Sequence, residues 1–288
     1  MRVLLWHGYL LSGSGSNIYT ANLCSELRKA GHDVLLLCQE GHVGAHGFID
    51  EEGDFASDNR SFDTRSTGLP PGRGRCRLLR PHIGELLPVY VYDDYEGFTA
   101  KRFVDLSDRE LGVYTDFNIR AMVTAIERHE PEGIITGHEV MGPYIARRAC
   151  EENEATYLAK LHGSALEYAV KLQERYLEFA AEGLGGASVV VAGSRYMLEE
   201  AGAIVPGWED RAVVVNPGCD VERFHPTERE PSSVPTVGYV GKLIAAKGVH
   251  NLLVALGNVG VPLRGVIVGY GGFEDVLRDL ADRLKVGD

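Results

Sequence analysis

Two histidines carry the clearest chemical signal in this 288-residue chain. His138 and His162 stand one or two residues past short apolar runs at 133–136 and 156–161. If those runs are strands of one parallel sheet, both imidazoles lie at strand carboxyl ends, where open α/β sheets bind ligands. There they can make polar contacts or handle protons, and histidines that merely complete the packing are the competing reading. Gly13-Ser14-Gly15 closes a loop ahead of a helical pattern, and the unpaired N–H groups of a helix start attract phosphate. The third glycine of a dinucleotide fingerprint is absent, since Ser16-Asn17-Ile18 follows, although Glu40 stands where a ribose-binding acid would. A tight strand-to-helix turn is the plainer alternative.

Farther along, Lys242 and Lys247 flank the turn after an apolar run at 236–240, with Gly241 and Gly248 beside them. Two lysines at a strand end suit a diphosphate, and two solvated lysines are the competing reading. Gly269-Tyr270-Gly271-Gly272 is a second glycine loop, for which packing at a helix start is the alternative. Motifs for a P-loop, a zinc protease or a serine hydrolase elbow are missing, and so is YxxxK. The only adjacent acidic pair in a Tyr-rich loop is Asp93-Asp94, so no metal ligand set is visible. The five cysteines contain no CxxC pair and read as small buried hydrophobes in a reducing compartment.

The elements that must position these groups alternate regularly. Strands are predicted at 2–6, 34–38, 86–92, 133–136, 156–161 and 188–192, with helices at 17–30, 108–129, 144–151 and 165–181. Ser194 is placed to cap a helix reaching to about residue 201. A strand starts the segment 212–226, a polar Pro-flanked linker covers 228–235, and a new series follows with strands at 236–240 and 261–268 and helices at 249–256 and 274–284. This alternation predicts parallel sheets in two Rossmann-type domains, 1–205 and 206–288. Segment 41–74 is rich in Gly, Asp, Ser and Arg, and is expected to be the most mobile internal segment or to be ordered chiefly by an acceptor or by packing on the cleft. A net charge of −12 argues against a nucleic-acid binder. No apolar run approaches the roughly 18–20 residues needed to span a bilayer, so the expected location is cytoplasmic, with room for peripheral membrane contact.

In order and spacing these pieces resemble family-4 retaining glycosyltransferases of the two-Rossmann GT-B architecture. The resemblance rests on the glycine loop with the helix ending at Gly31, Gly137-His138-Glu139, Leu161-His162-Gly163 and Ala192-Gly193-Ser194. It continues through Asn216-Pro217-Gly218-Cys219-Asp220 with Phe224-His225-Pro226, then Val240-Gly241-Lys242 with Lys247-Gly248, and Val268-Gly269-Tyr270-Gly271. It implies a UDP- or GDP-linked sugar donor, an acceptor of unknown kind (lipid, small molecule or polysaccharide), retention at the anomeric carbon and no cofactor or strict metal requirement. It implies that His138 is catalytic beside the transferred sugar, that Gly15, Lys242 and Lys247 hold the donor diphosphate, and that His162 lines the cleft nearer the acceptor. The family's Glu-x7-Glu motif, which holds donor sugar and ribose, is expected beyond the last residue, with Glu274 followed eight positions on by Asp282. The second domain is thus expected to be incomplete and the chain a fragment. The competing reading is a catalytically inactive binding subunit, and an NAD-dependent enzyme is the third.

Overall fold

The computed structural model describes residues 1–92, 95–228 and 232–287. The chain forms two compact units, Met1–Gly218 and Cys219–Asp288.

In the first unit, β1 (Arg2–Trp6), α1 (Gly15–Lys29) and β2 (Asp33–Leu37) make the opening crossover. β3 (Glu51–Phe55), β4 (Phe62–Ser66), β5 (Arg75–Arg80), β6 (Leu86–Val89) and β7 (Thr99–Arg102) follow. Then come α2 (Asp108–His129), β8 (Gly133–Gly137), α3 (Gly142–Asn153), β9 (Tyr157–Lys160), α4 (Arg175–Gly186), β10 (Val189–Ala192), α5 (Arg195–Ile204) and β11 (Ala212–Val214). Nine strands join in the order β11-β10-β9-β8-β1-β2-β5-β3-β4, parallel throughout except for β4 against β3. Central strands bury both faces, which is why Val3–Trp6 and Val34–Leu37 read as unbroken apolar runs. Alternate residues feed two cores: Leu4, Trp6, Leu35 and Leu37 pack with α2, α3 and α4, while Leu5, Val34 and Leu36 pack with Ala21 and Cys24 of α1.

Segment 41–74, which reads from composition as lacking regular structure, holds β3 and β4, and these extend the sheet. Its charges made it look like a loop, yet they pair across strands. Arg28 of α1 grips Asp50 through two hydrogen bonds of 2.8 and 2.7 Å, and Asp50 also accepts from the Cys76 N–H at 2.7 Å. Arg80 reaches Glu52 and Asp54, both at 2.7 Å, and Arg65 closes on Glu52 at 3.0 Å. Phe55 and Phe62 pack edge to face, with ring centroids 5.1 Å apart.

Two further expectations shift. The helix expected over 165–181 is a π-turn at Leu166–Val170 followed, after a break, by α4. The break is pinned by side chains: Gln173 donates to the Val104 carbonyl at 2.7 Å, and Arg175 to the Phe103 and Leu106 carbonyls at 3.2 and 2.8 Å. The division after residue 205 assigns the strand at 212 to the second unit, whereas β11 pairs with β10 as the edge of the first sheet. The Val215 N–H extends that pairing to Ala192 at 3.0 Å, so the units divide after Gly218. Asp93 and Asp94, and residues 229–231 of the linker, lie outside the described residues.

The second unit holds β12 (Thr236–Val240), α6 (Val249–Asn258), β13 (Arg264–Val268) and α7 (Glu274–Leu284). β12 and β13 pair in parallel, and Leu243, Val249, Leu253 and Leu277 form a small buried core with the helices. Val237, Val240, Val266 and Val268 of the strands are exposed.

The Arg28–Asp50 pair is nearly buried, so removing one partner strands a charge, at a cost of about 3 kcal/mol. Chemical denaturation of Arg28→Ala should show that loss together with faster amide exchange in β3 and β5. Lys29→Ala, at an exposed position, should stay within about 0.5 kcal/mol of the parent.

Candidate functional site

β1 lies between β2 and β8, and the chain leaves it in opposite directions along the sheet. Such a switch point opens a crevice outside the strand carboxyl ends. Three imidazoles converge there. His7 follows β1, His138 follows β8 and His162 lies two residues past β9. The His138 ring centroid is 4.9 Å from that of His162 and 6.2 Å from that of His7, while Tyr90 and Tyr9 flank it at 4.8 and 5.5 Å. Tyr19, one turn into α1, packs edge-on to His162 at 5.4 Å, which brings the helix that begins at Gly15 to the same end of the sheet.

The backbone of this crevice is held by specific bonds. His138 adopts φ of 72°, an uncommon conformation for a residue with a side chain, and its N–H donates to the Lys160 carbonyl at 2.8 Å. Glu139 is fully buried, and one carboxyl oxygen accepts from the N–H groups of His162 and Gly163 at 2.9 and 2.5 Å. The loop after β9 is thereby tied to the loop after β8. Burial raises the Glu139 pKa against the pull of those donors.

All three imidazoles are kept neutral. Burial is the main cause for each: His7 is lowered to about 4 and His162 to about 3, the latter helped by His7 and Lys160. His138 lies well below the ordinary range, through burial and then the neighbouring His162 and His7. Nε2 of His7 faces the Leu10 carbonyl at 3.1 Å and Asn17 Oδ1 at 3.0 Å, so this nitrogen carries the proton. Its Nδ1 lies 3.3 Å from the Thr20 hydroxyl. His138 differs: Nδ1 is 3.4 Å from Ser164 Oγ, and Nε2 is buried with no partner among the described residues. An orphaned polar atom in a ligand crevice marks the place where a ligand group completes the bonding.

Gly15 opens α1, with Ser14 capping through its hydroxyl to the Asn17 N–H at 3.3 Å. A Cβ at Gly15 would meet no atom within 4 Å, so the chain's own packing does not require glycine there, whereas a ligand pressed against the backbone would. Glu40, in contrast, is occupied by the fold. It is 2% exposed and accepts from the Leu11 and His42 N–H groups at 3.0 and 2.7 Å, with the His46 ring 3.4 Å away. Burial works against its ionisation, yet His46 and these two donors bring its pKa down to about 2.

Lys242 and Lys247 belong to the second unit. Lys242 follows β12, and Lys247 ends a 3₁₀ turn, Ala245–Lys247, ahead of α6. The glycine loop after β13 serves packing, since a Cβ at Gly269 would stand 1.9 Å from the Gly241 carbonyl oxygen. Among the described residues no group of three or more His, Cys, Asp or Glu side chains is placed to hold a metal ion, and no helix is long and apolar enough to cross a membrane.

His7, Tyr19 and Lys160 escaped the sequence reading. His7 follows its strand as His138 does, and Lys160 is a charge at the end of an otherwise uncharged buried strand, Tyr157–Lys160.

Comparisons with known proteins give the family and the fold. Residues 14–218, more than half of the chain, match the Glycosyl transferase 4-like domain, and the chain belongs to that family. Sucrose-phosphate synthase from Thermosynechococcus elongatus has a similar structure, with TM-score 0.60, 16% identity, 100% of this chain covered and 68% of that one. Trehalose-6-phosphate synthase from E. coli bound with UDP-2-fluoro glucose gives 0.56 and 10%, over 99% and 68%. A Listeria monocytogenes protein named as a UDP-N-acetylglucosamine 2-epimerase gives 0.55 and 11%, over 100% and 66%. The chain thus spans about two thirds of each of these proteins. At such identities the likeness establishes the fold, an α/β GT-B architecture. No curated protein matches the chain by sequence.

The neutral histidines make the fold acid-sensitive. Each is harder to protonate folded than unfolded, so its contribution is complete above about pH 6.5 and declines as pH falls toward the folded value. For His7 the full loss, reached near pH 4, is about 3 kcal/mol. Denaturation at pH 7 and pH 4.5 should show this decline, and His7→Asn should flatten it. A stability profile unchanged by that substitution would contradict the assignment.

Proposed function

We propose that the protein transfers a sugar from a nucleotide diphosphate-sugar, UDP- or GDP-linked, to an acceptor, with retention of anomeric configuration. The observation that supports this reading most is the neutral imidazole of His138. It sits on a strained backbone at the switch point and presents a buried, unpaired Nε2. Nε2 offers a hydrogen bond to the donor sugar without adding a charge that would attract water or mispair with the diphosphate. As the glycosidic bond breaks, charge gathers on the departing diphosphate. The α1 start at Gly15 offers N–H groups to that charge without having to reorganise, and Lys242 and Lys247 of the second unit are the cations assigned to the same diphosphate. His162, with its ring beside that of His138, lines the acceptor side. Family membership supports a transferase over the epimerase chemistry that the same fold also carries.

No resident metal enters this scheme, and chelator should leave turnover unchanged. The test uses the full-length protein, with calorimetric titration of UDP-glucose and GDP-mannose and a donor-hydrolysis assay. His138→Ala should lower turnover by about 100-fold with folding intact. Gly15→Ala should fold normally and weaken donor binding. Donor binding with no hydrolysis or transfer would favour a binding subunit, and undiminished turnover in His138→Ala would remove His138 from the chemistry.

A further inference from the structure

Lys160, the last residue of β9, is 5% exposed, yet its ammonium has no acidic partner and no hydrogen-bond acceptor among the described residues. Its neighbours are known. Nζ lies 5.4 Å from the Tyr19 ring centroid, on the face of α1 that begins at Gly15. It also approaches the carboxyl end of β10, where a Cβ at Gly193 would stand 3.6 Å away. Glu139 is near enough to act on it electrostatically but forms no ion pair with it, and that carboxyl is bonded to backbone N–H groups instead. Burial of the ammonium lowers its pKa, with Glu139 opposing, and the ammonium in turn helps to hold His162 neutral. The side chain is packed, but the ammonium nitrogen is not among the fully buried atoms: it reaches solvent, and the Tyr19 face supplies only part of what an anion would.

We propose that Lys160 binds an anionic group, a phosphate or a carboxylate, carried by the acceptor in the crevice beside His162. The inference rests on the glycosyl-transfer reading for the word acceptor, while the anion site itself does not. Three observations converge on it: the ammonium has no acid and no hydrogen-bond acceptor among the described residues, the side chain that carries it is held in place by packing with only 5% of the residue exposed, and it stands between the histidine crevice and the strand end at Gly193. An incoming anion supplies the missing partner and favours the charged form of the lysine. A neutral acceptor would leave the ammonium as it is, so discrimination against uncharged analogues follows from the same geometry.

The experiment follows the lysine directly. The full-length protein is reductively methylated with ¹³C, and the Lys160 signal, assigned by its loss in Lys160→Met, is followed on adding sodium phosphate and, separately, sodium acetate. Each series is repeated with saturating UDP. The expected result is that at least one anion moves the Lys160 signal and shifts its titration upward, with or without UDP. By calorimetry, Lys160→Met should bind that anion at least tenfold more weakly, and Lys160→Arg should retain it. Lys160→Met should fold as the parent does, because no ion pair or hydrogen bond among the described residues is lost with the ammonium. Should that variant fail to fold, the parent's signal and Lys160→Arg still decide. Three results overturn the proposal: no response to either anion; a response to UDP that abolishes the anion effect, which would place Lys160 on the donor diphosphate; or unchanged anion affinity in folded Lys160→Met. Failure of UDP-glucose to bind would count against glycosyl transfer alone, since the anion titrations need no donor.

Discussion

The first unit depends on one topological constraint. β1 has β2 on one side and β8 on the other, so the right-handed connections that leave this centre must pass to opposite faces of the sheet. The two cores record the consequence: α1 packs on one face, while α2, α3 and α4 pack on the other. Between the diverging connections the strand ends are met by loop residues, which bury His7 and His138 and leave His162 partly exposed. Whatever residues follow β1, β8 and β9 must line that opening, and here they are His7, His138 and His162.

The opening is polar but not charged. On the proposed reading, a lining that meets a sugar needs hydrogen-bonding groups that carry no charge. Burial supplies this by suppressing protonation of all three imidazoles. Glu139 holds the geometry, because one carboxyl oxygen gathers two backbone N–H groups of the neighbouring loop. The positive φ at His138 is tolerated inside this fixed frame, where bonds on both sides over-determine it. Lys160 is the exception to the uncharged lining, and its lack of a partner is what singles it out.

Much of this was legible in the sequence. Strand ends announce themselves where an apolar run stops at a polar residue, which is how His138 and His162 were found, and the same rule applied to His7 would have found it. Gly15 and the two lysines were placed by their position before helices. The illegible parts have a common cause, since they depend on partners distant in sequence. Glu51–Phe55 carries few β-favouring residues and is a strand whose acids are neutralised across the sheet by Arg75, Arg77 and Arg80, with Arg28 holding Asp50 just ahead of it. Glu40 resembled a ribose-binding acid until the N–H groups of Leu11 and His42 were seen to occupy it. The break before α4 is written in Gln173 and Arg175 only once the carbonyls of 103–106 are in reach.

The account turns on the claim that the unpaired Nε2 of His138 is where donor sugar meets the protein. The most direct measurement is a long-range ¹H–¹⁵N correlation spectrum of the histidine ring nitrogens at pH 5.5, without and with UDP-glucose. The account predicts a neutral His138 ring in the free protein and a shift confined chiefly to its Nε2 when the donor is added. A His138 that titrates in the ordinary range, or ring nitrogens that do not move while UDP-glucose binds, would contradict it.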